Sequence, residues 1–318
     1  MNWLINYDKS ITALVLPLAV GLGLVQYITY IASDVPVMET YASAPQLFGT
    51  AAMFSVLPAY MLGILVYLRR ETVFVLQELK PWSTGDAAPK LDQRIHSVGL
   101  LVWIPVAIGL VYSQWQNPLI WKTIFSSQPI APFDIAVLVS AAFLWGTIGL
   151  LIGWRVPLSW ALYRFGRSIS VDIYAPSRVR PLANLAGKDV LLIAGAMAFM
   201  PLQSLDAEFR WVNYEAGILV GVPSALLLML LPMAGARASI MKAKQARLDK
   251  LLSDLGSTDR EDVGQLEMLS AHIERIRNIP NWPFDARLAL RILGYAVIAP
   301  LAWVGAALVE NLVDQIAG

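Results

Sequence analysis

Histidine is the side chain best placed for acid–base or metal chemistry near neutral pH, and this chain has only His96 and His272. Two imidazoles leave no material for a multi-histidine metal cluster. With no cysteine there is no thiolate ligand, disulfide or cysteine nucleophile. His272 and Glu274 superficially resemble a phosphoacceptor helix, but no nucleotide-binding segment accompanies them, so both read as a solvated helix face. His96 reads as an interfacial residue and not as a haem ligand. No HExxH, P-loop or GxSxG occurs, and Gly21 and Gly23 form a bare GxG inside an apolar run. The sequence therefore assigns no catalytic residue, no cofactor-binding residue, no cofactor and no metal ligand. An enzyme is not expected.

Deep in the apolar runs stand Gln26, Ser55, Ser140, Thr147 and Ser224, each isolated. A transporter driven by protons or sodium carries ionisable residues at a coupling site within the membrane, and no apolar run here has a charge near its centre. Serine or threonine at such depth more often bonds its own helix or a neighbour than a substrate. Ion coupling is not expected. A pore lined by small and apolar groups that gates by dewetting is compatible with this pattern.

The elements that must position these residues are helices in a bilayer. The chain is 57% hydrophobic with a mean hydropathy of +0.58 and only 15% charged residues, too apolar for an ordinary soluble domain. Seven stretches match the roughly 20 residues that cross ~30 Å of hydrocarbon as a helix: 11–32, 47–68, 97–114, 133–154, 189–206, 214–235 and 288–309. Ile11–Ile31 exceeds the ~7–15 residues of a signal-peptide core and is expected to remain as the first helix.

Of the 24 Lys and Arg residues, all but Lys122 and Arg210 fall in alternate gaps between these stretches. The positive-inside rule produces this alternation. Basic residues crowd 69–96, 155–188 and 236–291, whereas the other gaps hold acids such as Asp34, Glu39, Asp206, Glu208 and Glu215. The expected topology is N-inside and C-outside. Trp115, Trp121 and Trp211 fall by outer ends and Trp154, Trp160 and Trp282 by inner ends, where headgroups collect tryptophan.

The inner segments hold most of the polar sequence. The second span should continue as helix to Pro81. Leu158–Phe165 suits a helix in the headgroup plane or a loop helix packed on the bundle. From Ile240 to Leu255, Ala243, Leu248, Leu251, Leu252 and Leu255 mark one helical face. After Gly256, Ser257-Thr258-Asp259 offers a cap, and Val263, Leu266, Leu269, Ile273 and Ile276 mark a second face. Together they predict a cytosolic antiparallel αα-hairpin between helices 6 and 7. Residues 281–285 form an elbow back into the membrane. Arg287 and Arg291 read there as a topological anchor, with an anionic-lipid site as the functional alternative.

Gly149/Gly153 and Gly217/Gly221 have GxxxG spacing for close helix approach, and proline recurs in six of the seven stretches. The similarity of 16–21 to 104–109 makes a two-span repeat conceivable. The expected fold is thus an all-α integral membrane protein of seven transmembrane helices. Residues 1–235 would hold six helices with helical loops at 69–96 and 155–188, 236–281 the hairpin, and 282–318 the elbow and seventh helix.

Function is expected to be that of an oligomeric channel or channel-like pore with a cytosolic regulatory element. The alternatives are a non-enzymatic scaffold or signal transducer that binds a partner through the hairpin, and an uncoupled small-molecule or lipid transporter. Expected partners are membrane lipids, including anionic headgroups at the inner face, further copies of the chain, and a cytosolic protein at the hairpin, with no nucleic acid. The expected location is a prokaryotic plasma membrane. Because the chain lacks cysteine, single cysteines report topology directly. Glu39→Cys, Ser126→Cys and Asn213→Cys should react with an impermeant maleimide on intact cells, and Ser83→Cys, Ser177→Cys and Ser257→Cys only after permeabilisation; the reverse pattern would overturn the orientation.

Overall fold

The computed structural model of the chain describes residues 10–33, 44–97, 99–116, 131–204, 217–258, 262–283 and 289–295, with positions 297, 301 and 305. Its named helices are α1 (Thr12–Ile31), α2 (Ala44–Leu79), α3 (Ala87–His96), α4 (Trp103–Gln116), α5 (Pro132–Ser168), α6 (Arg180–Met197), α7 (Val222–Ser257) and α8 (Val263–Arg277). Five helical stretches are long and apolar enough to cross a membrane, and six if α3 and α4, bent by 55° at their junction, count as one broken span. They correspond to the first six expected spans. Most of the seventh, 288–309, lies outside the described residues, as do the outer gaps 34–43, 117–130 and 205–216.

Several helices overrun the membrane. At 1.5 Å per residue, α2, α5 and α7 are each on the order of 54 Å long, against ~30 Å of hydrocarbon. Their basic ends pack with α3 and α6 into one apolar core, in which Leu91, Ile95, Leu162, Phe165, Val179 and Leu182 have no exposed surface. At the other end the packing loosens. Leu16, Val20, Leu24 and Ile28 of α1 are all more than half exposed, and Gln26 is the one described residue of that helix that is buried. Lipid tails are as apolar as leucine, so no solvent force draws these faces together.

Three local readings change. Leu158–Phe165 is part of the continuous α5, with Leu158, Leu162 and Phe165 buried in the core, so it packs on the bundle and does not lie in the headgroup plane. The fifth span starts at Arg180, nine residues before position 189, because Lys188 and Asp189 are accommodated inside the helix. At α8 the cap is Asp262, whose carboxylate accepts from Gln265 N–H at 3.1 Å. Ser257 and Thr258 instead donate to the Asp254 carbonyl at the end of α7.

α7 runs unbroken from the sixth apolar stretch into the segment that packs on α8. Leu251 of α7 is buried with Leu269, Ile273 and Ile276 of α8, while Leu252 and Val263 of the expected faces remain exposed. Lys244 ties the far end of α8 to α7. Its ammonium donates to the carbonyls of Arg277 and Ile279 and to Asn281 Oδ1 at 2.7, 2.9 and 3.0 Å, which uses all three of its N–H bonds.

Glycines set the closest approaches. A Cβ on Gly153 would stand 2.6 Å from the Val102 carbonyl oxygen, and one on Gly149 would run into the Pro105 carbonyl, so this GxxxG pair seats α4 within the chain. Gly235 of α7 rests in the same manner on the Tyr163 carbonyl of α5, and a Cβ on Gly166 would meet Ala236 N at 2.9 Å. Backbone cannot yield as a side chain can, so overpacking here costs on the order of 1–3 kcal/mol. Gly235→Ala should destabilise the chain by that amount, read as a lower thermal midpoint in detergent, whereas Gly256→Ala, with open space around it, should leave the midpoint unchanged; equal midpoints for the two variants would contradict the α5–α7 contact.

Candidate functional site: a cavity above a buried ion pair

The side chains that α2, α5, α6 and α7 turn inward in the membrane-spanning half do not fill the space between them. A cavity of about 230 Å³ remains. Met53, Leu57 and Ile64 of α2, Leu144 and Ile148 of α5 and Ala196 of α6 represent its apolar wall. Val220 and Gly221 line it where the helix enters α7 through a wider π turn at Gly217–Gly221. Such turns loosen the i→i−4 ladder and recur at functional sites.

Polar groups on the wall are few. Ser224 lines the cavity, and Ser113, which the sequence gives no reason to single out, joins it from α4. Its hydroxyl donates to the Leu110 carbonyl at 2.8 Å. The remaining polar residues marked at depth bond within the bundle, although the buried Gln26 Oε1 accepts no hydrogen bond among the described residues. Ser55 donates to Ala51 O and Thr147 to Leu144 O, each at 2.7 Å, and Gln26 Nε2 reaches Ser140 Oγ at 3.2 Å. His96, His272 and Glu274 are exposed. Among the described residues no three His, Asp or Glu side chains are grouped to hold a metal ion.

The feature that hydropathy conceals lies at the basic end of the cavity. Arg155 is twenty-four positions into α5, not in a loop, and its side chain has no exposed surface. Its Nε and Nη2 donate to the two carboxylate oxygens of Asp189 on α6 at 2.9 and 2.6 Å. Nη1 donates to Thr72 Oγ1 on α2 at 3.1 Å, and Thr72 passes its own proton to the Leu68 carbonyl at 2.6 Å. One turn of each of three helices is thereby locked at one level. Arg155 borders the cavity, yet its charge is closed off by these partners.

A second pair flanks the first. Glu71 and Lys188, the sequence neighbours of Thr72 and Asp189, meet at 2.6 Å and are partly exposed, with the Lys188 ammonium 5.6 Å from the Tyr67 ring centroid. The outer pair is solvated enough to contribute little. The inner one is different. Desolvating two ions costs several kcal/mol each, and the bidentate contact returns about that much, so the net gain is small while the penalty for breaking the pair is large.

No family model, curated protein or solved structure matches this chain.

What the arrangement can do follows from its two halves: an apolar space that can hold a molecule, and a neutralised charge pair that fixes the helices around it. Asp189→Ala strands a buried guanidinium and should cost about 3–5 kcal/mol. Arg155→Met with Asp189→Leu removes both charges and should return stability to within ~1 kcal/mol of the natural chain. Thermal unfolding in detergent measures both, and a double variant as unstable as Asp189→Ala would contradict this account.

Proposed function

We propose that this chain is a multi-pass membrane protein that admits a neutral, mainly apolar molecule to the cavity between its helices and passes it without coupling to an ion gradient. This is the uncoupled small-molecule or lipid transporter among the alternatives raised by the sequence. The observation that carries it is the cavity of about 230 Å³ between α2, α5, α6 and α7. That space exceeds the ~150 Å³ apolar cavity that takes up benzene. Its wall offers dispersion contacts and two hydroxyls, which suits a lipid chain or a hydrophobic small molecule better than a hydrated ion.

The ion pair supports the same reading. A coupling site must gain and lose its ion, and its charge must therefore be reachable. Arg155 and Asp189 satisfy each other with no exposed surface, which suits a fixed strut. The oligomeric channel, placed first on sequence grounds, requires a path between copies of the chain. The exposed apolar faces of α1 and α4 offer surface for such contacts and equally for lipid. The scaffold reading draws on α7 and α8 as a cytosolic partner-binding hairpin. The proposed frame keeps seven spans, the N-terminus inside and the C-terminus outside, in a prokaryotic plasma membrane.

Purified protein in nanodiscs should carry a co-purified apolar molecule detectable by native mass spectrometry. Ala196→Phe and Ser224→Phe, which fill the cavity from two helices, should reduce its occupancy at least about ten-fold, the equivalent of ~1.4 kcal/mol of lost binding. Probe movement across vesicles of the natural chain should be indifferent to proton and sodium gradients. Unchanged occupancy in both filled variants, or probe flux that follows either gradient, would overturn the proposal.

A further inference from the structure

Beyond Pro157, α5 carries an arginine and aromatic ladder that neither the cavity nor the buried pair uses. The rings of Trp160 and Tyr163 stack, with centroids 5.2 Å apart and planes at 29°. The guanidinium carbon of Arg164 lies 5.7 Å from the Trp160 centroid, and that of Arg167 lies 5.7 Å from the Tyr163 centroid. Arg167 Nη1 also reaches the Tyr163 hydroxyl at 3.4 Å. Both arginines are exposed, and Trp160 is 48% exposed. Among the described residues no carboxylate pairs with either arginine.

Two helices independently place this ladder at the level where apolar surface gives way to charge. From Ile135 to Tyr163 the only ionisable charge on α5 is the sealed Arg155, so Arg164 is its first exposed charge. α7 touches α5 at the same level, with Gly235 on the Tyr163 carbonyl. Two residues later comes the first charge of α7, Arg237, whose guanidinium carbon lies 4.6 Å from the Trp282 centroid. Aromatic rings beside the first basic residues of neighbouring spans mark the headgroup layer.

A guanidinium presents paired N–H bonds that suit the paired oxygens of a phosphate. Positions 164 and 167 are three apart on one helix and so share a face. The cation–π contacts hold both side chains in place beforehand, which lowers the ordering cost of binding. We propose that Arg164 and Arg167, braced on Trp160 and Tyr163, form a binding site for the phosphate of an anionic phospholipid, with the exposed indole of Trp160 against the lipid's glycerol and upper chain. Two cations without a nearby acid favour a net-negative headgroup over a zwitterionic one. The exposed indole at this level favours a lipid over a soluble anion.

The test uses the full chain in nanodiscs of mixed phosphatidylcholine and phosphatidylglycerol, with retained lipid counted by native mass spectrometry. The natural chain should retain phosphatidylglycerol preferentially. Arg164→Gln with Arg167→Gln should lower that retention roughly ten-fold or more, since each basic residue near the surface contributes on the order of ten-fold or less to anionic-lipid affinity. Arg164→Lys with Arg167→Lys, which keeps charge without the planar fork, should fall between. Equal retention of the two lipids by the natural chain, or undiminished phosphatidylglycerol in a folded Gln variant, would overturn the site.

Should the Gln variant not fold, tryptophan quenching in the natural chain decides. The fluorescence component lost in Trp160→Phe should be quenched more by brominated phosphatidylglycerol than by brominated phosphatidylcholine. Equal quenching by both, or protection from both by a second copy of the chain, would refute the proposal.

Discussion

A guanidinium with no access to water must find its partners inside the protein, and in this molecule that requirement sets the register of three helices. Arg155 can be buried only if Asp189 and Thr72 arrive at its level, which aligns α5 with α6 and α2 to within a hydrogen bond's tolerance. Sliding α5 or α6 by one turn would leave a charge unpaired in a low-dielectric setting, a penalty larger than most packing differences, and sliding α2 would strip Arg155 Nη1 of its acceptor. Apolar helices in a bilayer have many nearly equivalent ways to pack, since lipid replaces protein contact at little cost. The buried pair removes that degeneracy. The cavity next to it exists because the helices are held at these positions, even though their side chains leave space between them.

The same helices are packed by two kinds of solvent. At the basic end, α2, α3, α5, α6 and α7 bury leucine, isoleucine and phenylalanine completely, as the hydrophobic effect demands of surface that would otherwise meet water. Across the membrane half, apolar side chains of α1, α4 and α7 stay exposed. There, close approach comes from glycine, with backbone against backbone at Gly149 and Gly153. A tightly packed basic end therefore supports a looser apolar half, and the ion pair lies where the two meet.

The helical class and the positions of six apolar stretches were legible because hydropathy and charge alternation report directly on the medium each segment occupies. The break before Pro81 and the polar groups bonded to their own helices were legible for local reasons. Arg155 and Asp189 were not. Each stands at the edge of an apolar run, where an arginine ordinarily marks a loop and an aspartate a helix start, and only the fold shows that 155 and 189 meet. Ser113 gave no signal, since a serine that bonds its own helix looks the same whether or not a cavity lies beside it. Of the closest glycine contacts, Gly149/Gly153 had the right spacing, but Gly166 and Gly235 are single glycines on different helices and form no pattern in either. The cap of α8 moved from Ser257-Thr258-Asp259 to Asp262 because the two hydroxyls bond backward to Asp254.

α7 is one unbroken helix, and about a third of the way along it bears on α5 backbone to backbone, at Gly235 and Ala236. From that point about 17 Å of helix reaches back to Ser224 in the cavity wall and about 24 Å reaches forward to Leu251 in the contact with α8. One continuous helix thus carries both a wall of the cavity and the seat of α8, so a shift of that wall along the helix axis would be felt at the seat as well.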